Sequence, residues 1–146
     1  MSFDLQGFPA DTAALATLAA RGLAYRLVDT ADTAAASAWV EADFRGFHHS
    51  RPRQIELDHD LGVIAERRVH GVYDSTIVDP AVPVATVSSW PTGLSVPGGR
   101  SVDAWAVSSV TVSPTHRRRG IARALMLAEL QNARAAGAAL AMLTAT

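Results

Sequence analysis

Residues 110–123, Val110-Thr-Val-Ser-Pro-Thr-His-Arg-Arg-Arg-Gly-Ile-Ala-Arg123, hold the densest chemistry in the chain. An apolar strand runs into a proline, then a basic turn with one glycine, then a long helix with an apolar stripe. The first N–H groups of a helix have no internal partner. Together they carry roughly half a positive charge and point outward, so an anion can rest on them. Gly120 has no Cβ and lets the backbone approach that anion closely. Arg117, Arg118, Arg119 and Arg123 add charge at the rim, and a guanidinium can fork onto phosphate oxygens. All thirteen basic residues of the chain are Arg, so this forked geometry is the only cationic chemistry available apart from histidine and the chain terminus. An ordinary solvated Arg cluster would need neither Pro114 nor Gly120 nor the small Ala122 in register.

Other side chains are less decisive. His48, His49, Asp58, His59 and Asp60 invite a metal reading, but no two His stand four apart on a helix, and no metal is expected. There is no cysteine, which excludes disulfides, thiolate nucleophiles and Cys-zinc sites. His70 flanks an apolar strand and reads as a satisfied structural His. The run His116–Arg119 is short, lacks interleaved aromatics and lies in a chain of net charge −1, so nucleic acid is not an expected partner.

The elements that must position this chemistry follow from periodicity and turn residues. With 146 residues the chain fits one domain. Asp11 reads as the N-cap of a helix over 12–20, stopped by Gly22. Residues 23–28 alternate like a strand. Residues 33–47 and 55–67 read as helices, and 69–73 and 82–90 as strands. Pro91 to Arg100 reads as a hairpin connection around Pro97-Gly-Gly99. A strand over 101–112 ends at Pro114, and the helix after the Arg turn runs to Ala136, closed by Gly137. Residues 138–146 read as a final strand, apolar enough to be buried on both faces. The unit 102–146 is a strand–helix–strand crossover, which fixes a parallel pair. The expectation is an α/β fold with a mixed sheet. No apolar run reaches the roughly 20 residues needed to span a bilayer, and the first residues lack the features of a signal peptide. A cytoplasmic protein without membrane partners is expected.

Arg117-Arg-Arg-Gly-Ile-Ala122 resembles the acyl-CoA pyrophosphate motif of the GNAT N-acetyltransferase superfamily, [Q/R]-x-x-G-x-[G/A]. The preceding Val110-Thr-Val-Ser-Pro-Thr-His116 and the upstream Leu94-Ser-Val-Pro-Gly-Gly99 are similar to signatures of its Eis-like branch. The resemblance implies a mixed, mostly antiparallel sheet flanked by helices, the GNAT acyl-CoA N-acyltransferase fold, here incomplete. It implies acetyl-CoA as co-substrate and transfer to a primary amine of an aminoglycoside, polyamine or lysine-like acceptor. Backbone of Val110, Thr111 and Val112 would pair with the pantetheine arm, and N–H groups from Arg118 through Ile121 and Ala122 to Arg123 would hold the pyrophosphate. The helices before the second strand cover the acceptor side in this superfamily. Trp39, Phe44 and Phe47, with Glu41 and Asp43 nearby, would there line an amine pocket, or else are core residues at helical spacing.

Many superfamily members carry a Glu on the strand before the motif; here that strand has only Asp103, at its far end. In the Eis-like branch the acid is a Tyr beyond the final strand, and the base is a carboxylate from a distant domain. Neither position falls within residues 1–146, which correspond to a single N-terminal domain of longer family members. The resemblance therefore implies a weak or inactive chain on its own, one that self-associates as a homo-oligomer through the apolar last strand. The alternative is a non-catalytic module that binds acyl-CoA or serves assembly.

Overall fold

The computed structural model describes residues 12–143. Its elements are α1 (Thr12–Ala19), β1 (Leu23–Leu27), α2 (Thr33–Gly46), α3 (Gln54–Ile64), β2 (Arg68–Asp74), β3 (Ala85–Val96), β4 (Arg100–Val112), a 3-10 turn at Pro114–His116, α4 (Ile121–Ala135) and β5 (Leu140–Leu143). The sheet order is β1-β2-β3-β4-β5. The first three pairings are antiparallel and β4–β5 is parallel, so the sheet is mixed and mostly antiparallel, as expected.

Strand alternation divides the core between the two faces. Val72, Val87, Trp105 and Val107 pack with Leu18 of α1 and Leu125 and Ala128 of α4. Val69 points the other way and packs with Trp39 and Val40 of α2 and Ile64 of α3. Local signals set the helix ends. The Asp32 carboxylate accepts from the N–H groups of Ala34 and Ala35 at 3.0 and 3.1 Å and caps α2. Glu56 accepts from the Arg53 N–H at 2.8 Å at the start of α3. Gly137, at φ 73°, closes α4. Its N–H reaches Arg134 O and that of Ala138 reaches Ala133 O, both at 3.0 Å, the paired bonds of a Schellman end. The Asp11 cap and residues 144–146 of the expected last strand lie outside the described residues.

Two expectations are corrected. β3 does not stop at Trp90 but runs through Pro91 to Val96, so only Pro97–Gly99 turn the hairpin. Proline is tolerated there because β2 last pairs at Ser89, leaving no β2 ladder for the missing N–H to break. Strand β5 is not buried on both faces: Ala141 and Leu143 are exposed while Leu140 and Met142 are half-buried. It ends the sheet, with α4 on one side.

The α1/α4 face also contains a buried polar cluster. Arg68, His70 and Glu129 are fully buried. The Trp105 indole N–H donates to Glu129 Oε2 at 3.0 Å, and the Tyr25 ring stacks on His70 at 4.6 Å between centroids. His70 is not satisfied as expected: neither ring nitrogen has a hydrogen-bond partner among the described residues. Burial, with Arg68 adding to it, pushes its pKa down to about 3, so the ring is neutral. Its 3.7 Å approach to Glu129 is then no ion pair.

Candidate functional site

The loop after β4 is fixed before it can receive anything. The N–H of Ser113 donates to Val84 O at 2.7 Å. His116 is buried and its Nε2 lies 2.9 Å from Asp74 Oδ2, while Nδ1 lies 2.8 Å from Thr115 Oγ1. The other Asp74 oxygen accepts from the N–H and hydroxyl of Thr76 at 2.8 and 2.6 Å. These bonds, His116 first, hold the Asp74 carboxyl well below the usual carboxylate range. His116 thus pins the Arg-rich loop to the end of β2, a role the sequence did not reveal.

Beyond the pin the backbone curls through positive φ at Arg118 (64°) and Gly120 (73°). Arg117 Nε donates to Val112 O at 3.5 Å and Arg119 Nη2 to Thr115 O at 3.3 Å, so these two side chains brace their own loop. The first bond of α4 runs from the Ala124 N–H to Gly120 O at 3.0 Å. The N–H groups of Ile121, Ala122 and Arg123 consequently have no acceptor inside the helix. The same three residues line a cavity of about 340 Å3 together with Val112, His116, Arg117, Arg118 and Gly120. The structure therefore brings together most of the predicted residues. Arg119 is outside this lining, and Ile121 is a buried core residue at its edge. Arg21, from the turn before β1, was not anticipated: a Cβ built on Gly120 would stand 3.0 Å from its Nη1.

The strand leading into this loop is kinked. Thr86 pairs with Thr111 but Ser88 with Ser108, so β4 has one extra residue between, and Ser109 takes φ 56°. This is a β-bulge. The Thr86 hydroxyl donates to Ser109 O at 2.7 Å and lies 2.6 Å from Thr111 Oγ1, so Thr111 is the donor to Thr86. β5 pairs only with Ala104–Val107 of β4. From Ser108 to Val112 the β4 edge facing β5 has no partner strand among the described residues. Val110 and Val112 pack their side chains toward the α4 core, and Thr111 is buried; what these residues offer at the open edge is backbone.

Helix α2 meets the bulge at Gly46, where an added Cβ would overlap the Thr111 side chain. Gly46→Ala is expected to push α2 off the sheet and to cost about 1–3 kcal/mol as an overpacking change. Denaturant unfolding would show it as a lower midpoint at unchanged slope; a midpoint equal to wild type would mean that the helix end shifts freely.

On the α2/α3 face, Trp39 is 1% exposed and its indole N–H donates to His70 O at 2.8 Å. It shapes this side from beneath. Phe44 is half-buried and Phe47 is 40% exposed. Both rings approach His49, at 5.7 and 6.4 Å between centroids. Asp43, also on α2, accepts from Ser109 Oγ at its Oδ2 at 3.4 Å. Among the described residues no three His, Asp or Glu converge as a metal-ligand group, and no helix is long and apolar enough to cross a membrane.

An open strand edge thus runs directly into a helix start with free N–H groups. The acetyltransferase (GNAT) domain family model matches residues 24–146, and the chain belongs to that family. It is 34% identical over 119 residues to an uncharacterized N-acetyltransferase of Streptomyces griseus, covering 81% of this chain and 27% of that protein. It is 35% identical over 108 residues to one of Streptomyces avermitilis, covering 73% and 25%. The chain therefore spans only about a quarter of the length of these relatives. Among solved structures, Eis1 from Mycobacterium abscessus superposes with a TM-score of 0.63 at 24% identity, covering 85% of this chain and 28% of that one. A predicted acetyltransferase with acetyl-CoA from Clostridium acetobutylicum gives 0.63 at 14% identity, covering 85% and 81%. These likenesses concern the fold.

Proposed function

We propose that this domain binds acetyl-CoA along β4 and the start of α4 and passes the acetyl group to a primary amine by direct attack. The observation that carries this reading is the continuity of the open β4 edge, residues 108–112, with the cavity over the free N–H groups of residues 121–123. The pantetheine arm would add to the Val110–Val112 backbone as a further strand. The pyrophosphate would sit on the helix-start amides, with Gly120 giving clearance and Arg118, Arg123 and Arg21 supplying charge. The acetyl thioester would then lie beside the bulge at Ser109. Direct attack suits a chain without cysteine, which has no thiol to hold an acetyl group in transit.

The Eis-like branch is the finer placement we favour, supported by the Val110–Gly120 and Leu94–Gly99 segments. Within such a protein, residues 1–146 form the N-terminal GNAT-like domain, and the acceptor is an aminoglycoside, polyamine or lysine-like amine. Calorimetry with acetyl-CoA, followed by thiol release with tobramycin, spermidine and a lysine peptide, tests the reading. One-to-one binding and weak thiol release with at least one amine are expected. Binding without release from any of them would favour a non-catalytic acyl-CoA module, and absence of binding would overturn the reading.

A further inference from the structure

The strand before the Arg-rich loop has no Glu, so β4 itself carries no proton acceptor beside the expected thioester. The structure offers one on another element. Between α2, α3 and the bulge lies a cavity of about 90 Å3 lined by Trp39, Asp43, Asp60, Ile64, Arg67 and Ser109. This space is roomy enough and polar enough to admit water. Asp43 Oδ1 is shielded from solvent and has no hydrogen-bond partner among the described residues. Its Oδ2 is tied to Ser109, the residue whose left-handed backbone makes the bulge. Arg67 does not neutralise it by an ion pair: that guanidinium lies over the Trp90 ring, 3.8 Å from the centroid. A half-buried carboxylate with an idle oxygen, hydrogen-bonded to the residue beside the expected thioester, is not explained by packing.

Resting on the acetyl-transfer reading, we propose that Asp43 accepts the proton of the acceptor ammonium through the Ser109 hydroxyl. The ammonium gives one proton to Ser109 Oγ as the Ser109 proton passes to Asp43. The freed nitrogen lone pair attacks the thioester carbonyl, the C–N bond forms, and the C–S bond breaks with its electron pair going to sulfur. The second nitrogen proton goes to that thiolate, and Asp43 later releases its proton to water. One amide, one free thiol and one proton result. The environment is tuned for this. Burial raises the Asp43 pKa to about 6, the Ser109 bond opposes the rise, Asp60 from α3 adds to it, and Thr86 and His49 oppose it. Arg67 is the remaining charged group lining the cavity. A base with a pKa just below neutral is ionised at pH 7 and still able to take a proton.

The test compares wild type, Asp43→Asn, Asp43→Glu and Ser109→Ala over pH 5–9, with acetyl-CoA affinity measured by calorimetry and kcat by thiol release with the same amine panel. Wild-type kcat is expected to rise with pH through an apparent pKa near 6. Asp43→Asn should lower kcat by roughly 10²–10⁴-fold and abolish that limb, with acetyl-CoA affinity unchanged. Asp43→Glu should restore part of the rate and the limb. An unchanged kcat or a surviving acid limb in Asp43→Asn overturns the assignment. So does a loss of acetyl-CoA affinity in parallel with rate, which would mark a packing role. A wild-type chain that binds acetyl-CoA and acetylates nothing also overturns it while leaving the coenzyme site standing; a chain that does not bind acetyl-CoA removes the reading beneath it.

Discussion

Glu129→Ala is expected to cost about 3–5 kcal/mol of folding stability, the combined cost of a cavity under α4, an indole N–H left without its acceptor and a nearby buried Arg68 charge left less compensated. For a domain of this size that corresponds to a fall of roughly 10–20 °C in Tm. Glu129 sits on α4 and is fully buried. It accepts the Trp105 indole N–H, and its charge is the foremost influence opposing the desolvation that lowers the Arg68 pKa. Arg68 is also fully buried and stays protonated even so, because its intrinsic pKa is above 12. Truncating Glu129 removes its favourable charge from the neighbourhood of Arg68, leaves the Trp105 indole N–H without its acceptor and opens a cavity under the helix. The neutral His70 cannot take over, since it brings no negative charge. The double variant Arg68→Met, Glu129→Leu removes both buried charges and should recover most of the loss, as apolar replacement of buried charged groups often does. Denaturant unfolding of the three proteins measures both effects. A loss below about 1 kcal/mol in Glu129→Ala, or a double variant no better than the single one, would show that the cluster is not held by charge.

The helix-start end of the candidate site was legible because one short stretch had to satisfy several constraints at once. Pro114 stops a strand, Gly120 is at φ 73° where a side chain is penalised, and α4 begins one residue later. Each of these leaves a mark on residue type. The bulge left none: Ser108-Ser-Val-Thr-Val112 reads as an unbroken strand, and the extra residue emerges only against its partner's register, Thr86 with Thr111 and Ser88 with Ser108. Pairings across distant elements were equally silent. His116 finds Asp74 and Gly120 finds Arg21 only once α1, β2 and α4 are brought to the same end of the sheet. Asp43 was visible as an acid among aromatics, but its idle oxygen depends on which face of α2 meets β4. Pro91 misled the strand boundary because a proline inside a strand depends on whether the neighbouring strand has already ended, and that is a property of the sheet.

Gly120 offers the sharpest test of where the coenzyme phosphates rest. Its φ of 73° and ψ of 12° lie in the left-handed region, where a β-branched residue is strained by about 1–3 kcal/mol. Gly120→Val is therefore expected to lose both stability and coenzyme affinity, so it cannot separate the two. Asparagine enters the left-handed region far more readily than other residues with a Cβ. Gly120→Asn should keep most of the fold while still placing a Cβ between the helix-start amides and the phosphates. The Arg21 guanidinium, 3.0 Å from that Cβ position, is the tip of a flexible side chain and can move aside, so the steric cost falls on the ligand. Gly120→Asn is expected to weaken acetyl-CoA binding at least about tenfold, or about 1.4 kcal/mol. Single Arg118→Ala or Arg21→Ala changes should cost a comparable or smaller amount, which shrinks as salt rises because these side chains are exposed. Calorimetry at two salt concentrations, beside thermal unfolding of each variant, separates the contributions. A Gly120→Asn protein with wild-type affinity, or an Arg variant whose larger loss does not respond to salt, would place the phosphates on side chains and away from the N-terminus of α4.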